Sequence, residues 1–337
     1  MSCLSRNPKI LMTFLVSTLL SHVFAVGVRA RNALYARNIL PTRRLAGSVI
    51  SIGNLSVGGS GKTPFTIALG ELLKARNIKI DVLSRGYGRK TKGVLEVDPS
   101  GSAQDFGDEP LLIARKLNVP VIVGEDRYQA GLAAERKYGT NFHLLDDGFQ
   151  HRALHRDFDI VLVTPDDPRD RLLPAGRLRE PLSGLNRADA VTLMSGAAKE
   201  SFPVDGKLVW LVRRGIELQD IPSRPVAFCG IARPQNFFAQ LRTAGVELAA
   251  EAIYRDHHAY DEKDIQELLQ VQKQSEANGF VTTEKDVINL GQHCAALEAL
   301  AVVPVKMKIV DAANVVDTML SLIEERRRGH EKISLTP

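Results

Sequence analysis

Short, mostly apolar runs alternate with longer amphipathic stretches along most of the chain. Residues 49–52, 79–83, 119–123, 142–146, 159–163, 190–194 and 207–212 predict buried strands, because brief apolar runs bounded by glycine, proline or charge suit strands covered on both faces. Between them, residues 64–74, 111–117 and 128–138 carry helical spacing. Gly107-Asp108-Glu109-Pro110 opens the second of these helices, with Asp108 at the expected N-cap. Strands alternating with helices predict a parallel, doubly wound sheet. Around residues 215–225 the chain changes character, with Pro222 and Pro225 bracketing a linker. A strand at 226–229, a helix at 236–243, a strand at 248–253, a helix from Asp261 and a strand at 280–282 then predict a smaller α/β domain. Residues 282–286 fall in one of its loops. A helix over 315–328 ends the chain in a solvated charge run. The expected division is an apolar and basic segment at 1–46, a first domain at 47–215, the smaller domain at 216–310 and a helical tail at 311–337.

Residues 10–28 form the one long apolar stretch, relieved by Thr13, Ser17, Thr18, Ser21 and His22. Thr13, Ser17 and Ser21 recur at i, i+4 and i+8, a narrow, weakly polar stripe on a helix. Arg6 and Lys9 precede the run; Arg29, Arg31, Arg37, Arg43 and Arg44 follow it. The pattern admits a cleaved signal peptide, a spanning helix, a helix lying in the membrane interface, or a buried core helix. The arginines beyond it suit anionic headgroups, so a membrane-associated helix is expected.

Composition narrows the class. Of 337 residues 44% are hydrophobic and 25% charged, an ordinary globular balance with enough chain for two domains. A formal net charge of +5 suits phosphorylated or anionic partners. Aromatics are only 6% and no basic run is interleaved with them, which argues against nucleic acid as a partner. Cys3, Cys229 and Cys294 show no pairing or metal-ligand spacing and fit a reducing compartment.

The chemistry concentrates at Ser56-Val57-Gly58-Gly59-Ser60-Gly61-Lys62-Thr63, between the strand at 49–52 and the helix at 64–74. Strand, glycine-rich turn, Gly-Lys-Thr, helix is the setting of a phosphate-binding loop. Glycines let backbone N–H groups turn inward around phosphate oxygens, and the helix N-terminus adds positive charge. Lys62 is expected to reach the β- and γ-phosphates and the Thr63 hydroxyl to hold Mg²⁺; Ser56 stands where such loops usually begin with glycine. An ATP-using loop also argues against a cleaved signal peptide. The strand ending in Asp146-Asp147 reads as the second half of the site, where a carboxylate holds the magnesium shell. Successive strand residues face opposite sides, so one of the two, left open here, faces the metal. Arg85 and Arg89, in the glycine-punctuated loop after the strand at 79–83, can meet phosphates. The fold class is therefore α/β: a P-loop NTPase-type doubly wound parallel sheet, a second, smaller α/β domain and an N-terminal membrane-associated helix.

Taken together, Ser51-Ile52-Gly53-Asn54 with the loop at 56–64, and the segments 84–89, 107–110, 146–152, 173–181, Asp256-His257 and 283–286, resemble the tetraacyldisaccharide 4'-kinases of lipid A biosynthesis. The motifs occur in that family's order from residue 47 to about 290. The resemblance implies transfer of the ATP γ-phosphoryl group to the 4'-hydroxyl of a tetraacyldisaccharide 1-phosphate lipid, giving lipid IV(A), by a peripheral enzyme on the cytoplasmic face of an inner membrane, in contact with its lipids; a monomer is expected. It implies Asp108 as proton acceptor, oriented by His257 from the second domain as a cleft closes, and Glu109 beside Asp146 or Asp147 in the metal environment. Arg127 joins Arg85 and Arg89 as a candidate phosphate contact. Two departures stand out: Arg177 where the family usually has proline, and Asp166-Asp167-Pro168-Arg169-Asp170 where it has a glycine-rich approach. A nucleotide-dependent switch or metallochaperone would carry lysine where Val57 stands, and a small-molecule kinase without membrane contact leaves residues 10–28 unexplained.

Overall fold

The computed structural model describes residues 8–194 and 197–334; Cys3 and Arg6 lie outside the described residues. In chain order the elements are α1 (Pro8–Ala36), β1 (Ser48–Asn54), α2 (Lys62–Lys74), β2 (Ile80–Ser84), β3 (Leu95–Glu96), α3 (Ala103–Phe106), α4 (Asp108–Leu117), β4 (Val121–Val123), α5 (Arg127–Tyr138), β5 (Phe142–Asp146), β6 (Phe158–Leu162), β7 (Ala190–Met194), β8 (Leu208–Ile216), β9 (Val226–Cys229), α6 (Pro234–Thr243), β10 (Ala250–Ile253), α7 (Glu262–Ser275), β11 (Phe280–Thr283), α8 (Glu284–Leu290), β12 (Leu300–Val303), β13 (Val305–Ile309) and α9 (Ala312–Ser334). This is a mixed α/β fold with a large, mostly parallel sheet. The chain groups into two compact units, one of residues 1–62, 147–212 and 309–337, the other of 63–146 and 213–308.

In the first unit β1 pairs with β6, β6 with β7 and β7 with β8, all in parallel. Every residue of β1 is buried, Ser51 and Asn54 included, as expected of a strand covered on both faces. Leu55, Phe149, Val161, Leu178, Leu185 and Val191 belong to the core beside it. Arg326 and Arg327 of α9 donate to Asp157 O at 2.7 Å and Ser48 Oγ at 2.8 Å.

Helix α1 turns Ser21, Ala25 and Val28 inward and Val16, Leu19, Leu20, Val23 and Val26, each half exposed or more, outward. These spacings separate two faces of one helix, so residues 16–28 are not those of a helix buried on all sides. Ser21 Oγ donates to Leu172 O at 2.9 Å and accepts from Ala175 N at 3.0 Å. Farther along, Asn32 Nδ2 donates to Glu180 Oε2 at 2.8 Å, and Arg187 Nη1 donates to the same oxygen at 3.0 Å. Glu180 is fully buried, and these donors compensate its charge. Among the described residues no helix is long and apolar enough to cross a membrane.

In the second unit β5, β2 and β4 are parallel and β3 runs antiparallel to β4. A separate four-stranded parallel sheet has the order β10-β9-β11-β12, packed around Val226, Phe228, Leu268 and Phe280. Helix α7 starts in a capping box, Asp261 accepting from Asp264 N at 3.1 Å while Asp264 Oδ2 accepts from Asp261 N at 2.9 Å. Inside the unit His143, fully buried, lies 2.8 Å from Asp81 Oδ2 and 3.2 Å from Glu135 Oε1, tying together β5, β2 and α5. Burial pushes its pKa down, but the two carboxylates outweigh this and raise it.

Two local expectations change. Asp108 is not the N-cap of α4; Gly107 is, at φ +90°, and Asp108 is the first helical residue. A Cβ at Gly107 would meet Tyr87 O at 2.9 Å, so glycine takes the turn that other residues cannot. Residues 282–286 are not a loop either. Thr283 caps α8 by accepting from Asp286 N at 3.3 Å, and Lys285 and Asp286 sit in the first turn.

Candidate active site

β1 ends at Asn54, and a short loop carries the chain to α2, which begins at Lys62. Gly58, Gly59 and Gly61 have φ of +74°, +60° and +82°. A side chain disfavours that region, and glycines there let the loop curl its amides inward. Ser56 is fully buried. Asn54 braces the loop, its Nδ2 donating to Ser56 O at 2.6 Å and Ser60 Oγ at 2.7 Å, while its Oδ1 accepts from Lys62 Nζ at 3.2 Å. Residues 177–179 run along the loop: Val57 N donates to Arg177 O at 2.8 Å and Arg179 N to Leu55 O at 2.6 Å.

Arg179 grips Asp147 as a fork, Nη1 to Oδ2 and Nη2 to Oδ1, both at 2.9 Å, and also donates to Asn54 Oδ1. Lys62 Nζ stands 3.5 Å from Asp147 Oδ1. Burial alone would raise the Asp147 pKa, but Lys62 and Arg179 hold it well below the usual carboxylate range. Two cations around one carboxylate leave positive charge for phosphate oxygens. Arg179 was not singled out from the sequence; its only local signal is its place in segment 173–181. The two departures noted there meet each other, Arg177 Nε lying 2.7 Å from Asp170 Oδ2 and Nη2 3.5 Å from Asp166 Oδ2.

The consecutive aspartates diverge. Asp147 has φ +49° and turns to Lys62 and Arg179. Asp146, almost fully buried at the end of β5, accepts from Thr66 Oγ1 of α2 at 3.1 Å. Thr63 is buried in the first turn of the same helix. Among the described residues no group of three or more His, Cys, Asp and Glu side chains converges as a self-contained metal site.

Within the second unit Asp108 and His257 come together, Nδ1 lying 2.8 Å from Oδ2. Asn289 Nδ2 donates to the same Oδ2 at 3.2 Å, and Glu109 N to Oδ1 at 2.8 Å. Lys285 Nζ is 2.8 Å from Glu109 Oε1 and 4.0 Å from Asp108 Oδ2. The ring of Tyr87 lies against that of His257, centroids 5.3 Å apart. Burial would raise the Asp108 pKa, yet the His257 hydrogen bond and the Lys285 charge bring it down to about 2. The hydrogen bond to Asp108 raises the His257 pKa against burial and Lys285. Lys285 is pushed up as well, Glu109 and Asp108 outweighing its burial. At neutral pH this places a carboxylate acceptor, an imidazole biased toward its charged form and a fixed ammonium side by side. Lys285 and Asn289 are additions to the residues expected from sequence.

The arginine candidates separate. Arg89 and Arg127 both reach residue Glu125, Arg89 Nη2 at 3.7 Å from its Oε1 and Arg127 Nη1 donating to its carbonyl at 2.8 Å. Arg85 is exposed.

The sequence matches the family described as LpxK, tetraacyldisaccharide-1-P 4'-kinase, over residues 13–324. A protein named tetraacyldisaccharide 4'-kinase from Koribacter versatilis (strain Ellin345) is 50% identical over 318 residues, 91% of this chain and 99% of that protein. The protein of the same name from Aquifex aeolicus (strain VF5) is 38% identical over 287 residues, 80% of this chain and 88% of that one. A crystal structure of Aquifex aeolicus LpxK, described as an "apo" form in complex with ATP, superposes with a TM-score of 0.73 at 35% identity, covering 91% of this chain and 98% of that one.

Proposed function

Because this chain belongs to the LpxK family of tetraacyldisaccharide-1-P 4'-kinases, we propose that it transfers the γ-phosphoryl group of ATP to the 4'-hydroxyl of tetraacyldisaccharide 1-phosphate in lipid A biosynthesis. The observation that carries the reading is the loop of three left-handed glycines opening α2, with Lys62 at its first residue and Arg179 beside it.

Phosphoryl transfer requires mainly positioning and neutralisation of phosphate oxygens. Lys62, Arg179 and the amides of residues 57–62 neutralise the donor phosphates, and Asp147 pairs with both cations until then. Thr63 and Asp146 or Asp147, with Glu109, would supply the protein oxygens for Mg²⁺, which takes one or two carboxylates and completes its shell with phosphate and water. Mg²⁺ supplies further charge neutralisation when bound.

On the acceptor side Asp108 receives the hydrogen bond of the 4'-hydroxyl. A carboxyl with a pKa of about 2 is a weak base toward a free alcohol. It therefore orients the hydroxyl first and takes its proton as the oxygen–phosphorus bond forms and the hydroxyl acidifies. His257 donates to Asp108 and aims it. Arg85, exposed after β2, can meet further anionic groups of the substrates, while Arg89 and Arg127 are engaged at Glu125. The outward apolar stripe of α1 and the arginines after it suit attachment to the cytoplasmic face of an inner membrane, where the lipid acceptor resides.

The test is a phosphoryl-transfer assay with labelled ATP and the disaccharide 1-phosphate lipid, with ATP hydrolysis as control. Label in the lipid supports the reading; hydrolysis without lipid labelling overturns it.

A further inference from the structure

Asp286 is fully buried in the first turn of α8. Its Oδ1 accepts from Gly230 N at 2.7 Å and from the Tyr260 hydroxyl at 2.7 Å, and its Oδ2 accepts from the Thr283 hydroxyl. One carboxylate thus joins the end of β9, the end of β11 and the segment that follows β10. That segment carries His257. Its backbone is held from the same point, because His257 N donates to Gly230 O at 3.1 Å. His257 has φ +57°, in the left-handed region that residues other than glycine adopt uncommonly. A Cβ at Gly230 would lie 2.9 Å from Arg255 O and 3.0 Å from His258 Cβ, so the segment is packed directly against the backbone that Asp286 fixes.

We infer that Asp286 is a positioning residue for His257: through Gly230 and Tyr260 it sets the path of residues 255–260 and so the aim of the imidazole at Asp108. The neighbouring side chains of the same helix complete the arrangement. Lys285 and Asn289 contact Asp108, at 4.0 and 3.2 Å. One short helix therefore locates both ends of the His257–Asp108 contact, the carboxylate directly and the imidazole through the backbone. This inference rests on the reading of Asp108 and His257 as the acceptor-side pair.

The experiment compares Asp286→Asn, Tyr260→Phe and His257→Ala in the full chain, by single-turnover transfer to the lipid, KM for ATP, and NMR titration of the His257 imidazole. Asp286→Asn is expected to slow transfer on the order of tenfold to a hundredfold, the cost of a misplaced catalytic group, with little change in KM for ATP. The His257 pKa should fall toward that of an ordinary histidine, and adding Asp286→Asn to His257→Ala should slow transfer little further. Tyr260→Phe removes one of the three donors and should shift both readouts in the same direction by less; it carries the test if Asp286→Asn does not fold. Normal transfer and an unchanged His257 titration in folded Asp286→Asn, with His257→Ala slow, overturn the inference alone. Normal transfer by His257→Ala removes the acceptor-side reading, and the inference falls with it.

Discussion

Asp147 and Arg179, 32 positions apart, meet through two parallel contacts of 2.9 Å, and Arg179 also reaches Asn54 at the end of β1. The planar guanidinium can be replaced in charge by lysine but not in its fork. Arg179→Lys is therefore expected to lower transfer about tenfold to a hundredfold while the protein stays folded. Lys62→Ala should cost on the order of 3 kcal/mol in the barrier, a hundredfold or more. Steady-state kinetics with circular dichroism as the folding control checks both; near-normal turnover of folded Lys62→Ala removes the phosphate-loop assignment.

Asp108 and His257 should behave as a unit. Asp108→Ala and His257→Ala are each expected to slow single-turnover transfer strongly, and the double variant to be little worse than the slower single one. ATP affinity, measured separately, should persist in all three. Additive losses would mean independent action, and a defect of Asp108→Ala explained wholly by ATP affinity would move that residue to the metal shell.

The same pair makes stability depend on pH. The folded pKa of Asp108 is depressed from 3.8 to about 2, so its contribution, about 2 kcal/mol, is present above pH 4 and lost as pH falls toward 2. The folded pKa of His257 is raised, so its contribution is full below its ordinary value near 6.5 and lost as pH rises through the folded one. The coupling energy from a double-mutant cycle of thermal melts should therefore plateau between about pH 4 and 6.5 and decline on both sides. A coupling that is flat to pH 9 would show that His257 does not titrate in the pair.

The strands were legible because their signal is local. Residues 190–194 are apolar apart from Thr192 and residues 226–229 are apolar throughout, and β7 and β9 have those bounds. β3 was not, since two residues carry no periodicity, and α8 was hidden behind the polar start Glu284-Lys285-Asp286. The phosphate loop was legible because glycine placement reports backbone geometry directly. The role of Arg179 was not, because its partner Asn54 is 125 positions away and nothing near either residue marks the other. The buried contact of His143 with Asp81 was invisible for the same reason, at 62 positions. Aspartate favours the cap position, which is why the sequence points to Asp108, but Gly107 takes it because at φ +90° a Cβ would strike Tyr87 O.

Leu19, Val23 and Val26 stand half or more exposed on the outward face of α1. Leu19→Glu, Val23→Glu and Val26→Glu together should leave the melting temperature nearly unchanged, since surface substitutions usually cost within about 0.5 kcal/mol. Co-sedimentation with vesicles containing anionic phospholipid should fall sharply. Deleting residues 1–28 is a blunter probe, because it also removes the Ser21 bonds to Leu172 and Ala175. Undiminished vesicle binding by the triple variant removes the interfacial role of this face.

The stretch from Leu172 to Arg187 holds α1 at Ser21 and Asn32 and lies along the phosphate loop at Leu55 and Val57. Stitched on both sides, it cannot open on one without loosening the other. Helix end, stretch and loop are then expected to open as one cooperative unit, and native-state hydrogen exchange should show the amides of Val57 and Arg179 exchanging together and faster once Asn32→Ala loosens α1 from Glu180.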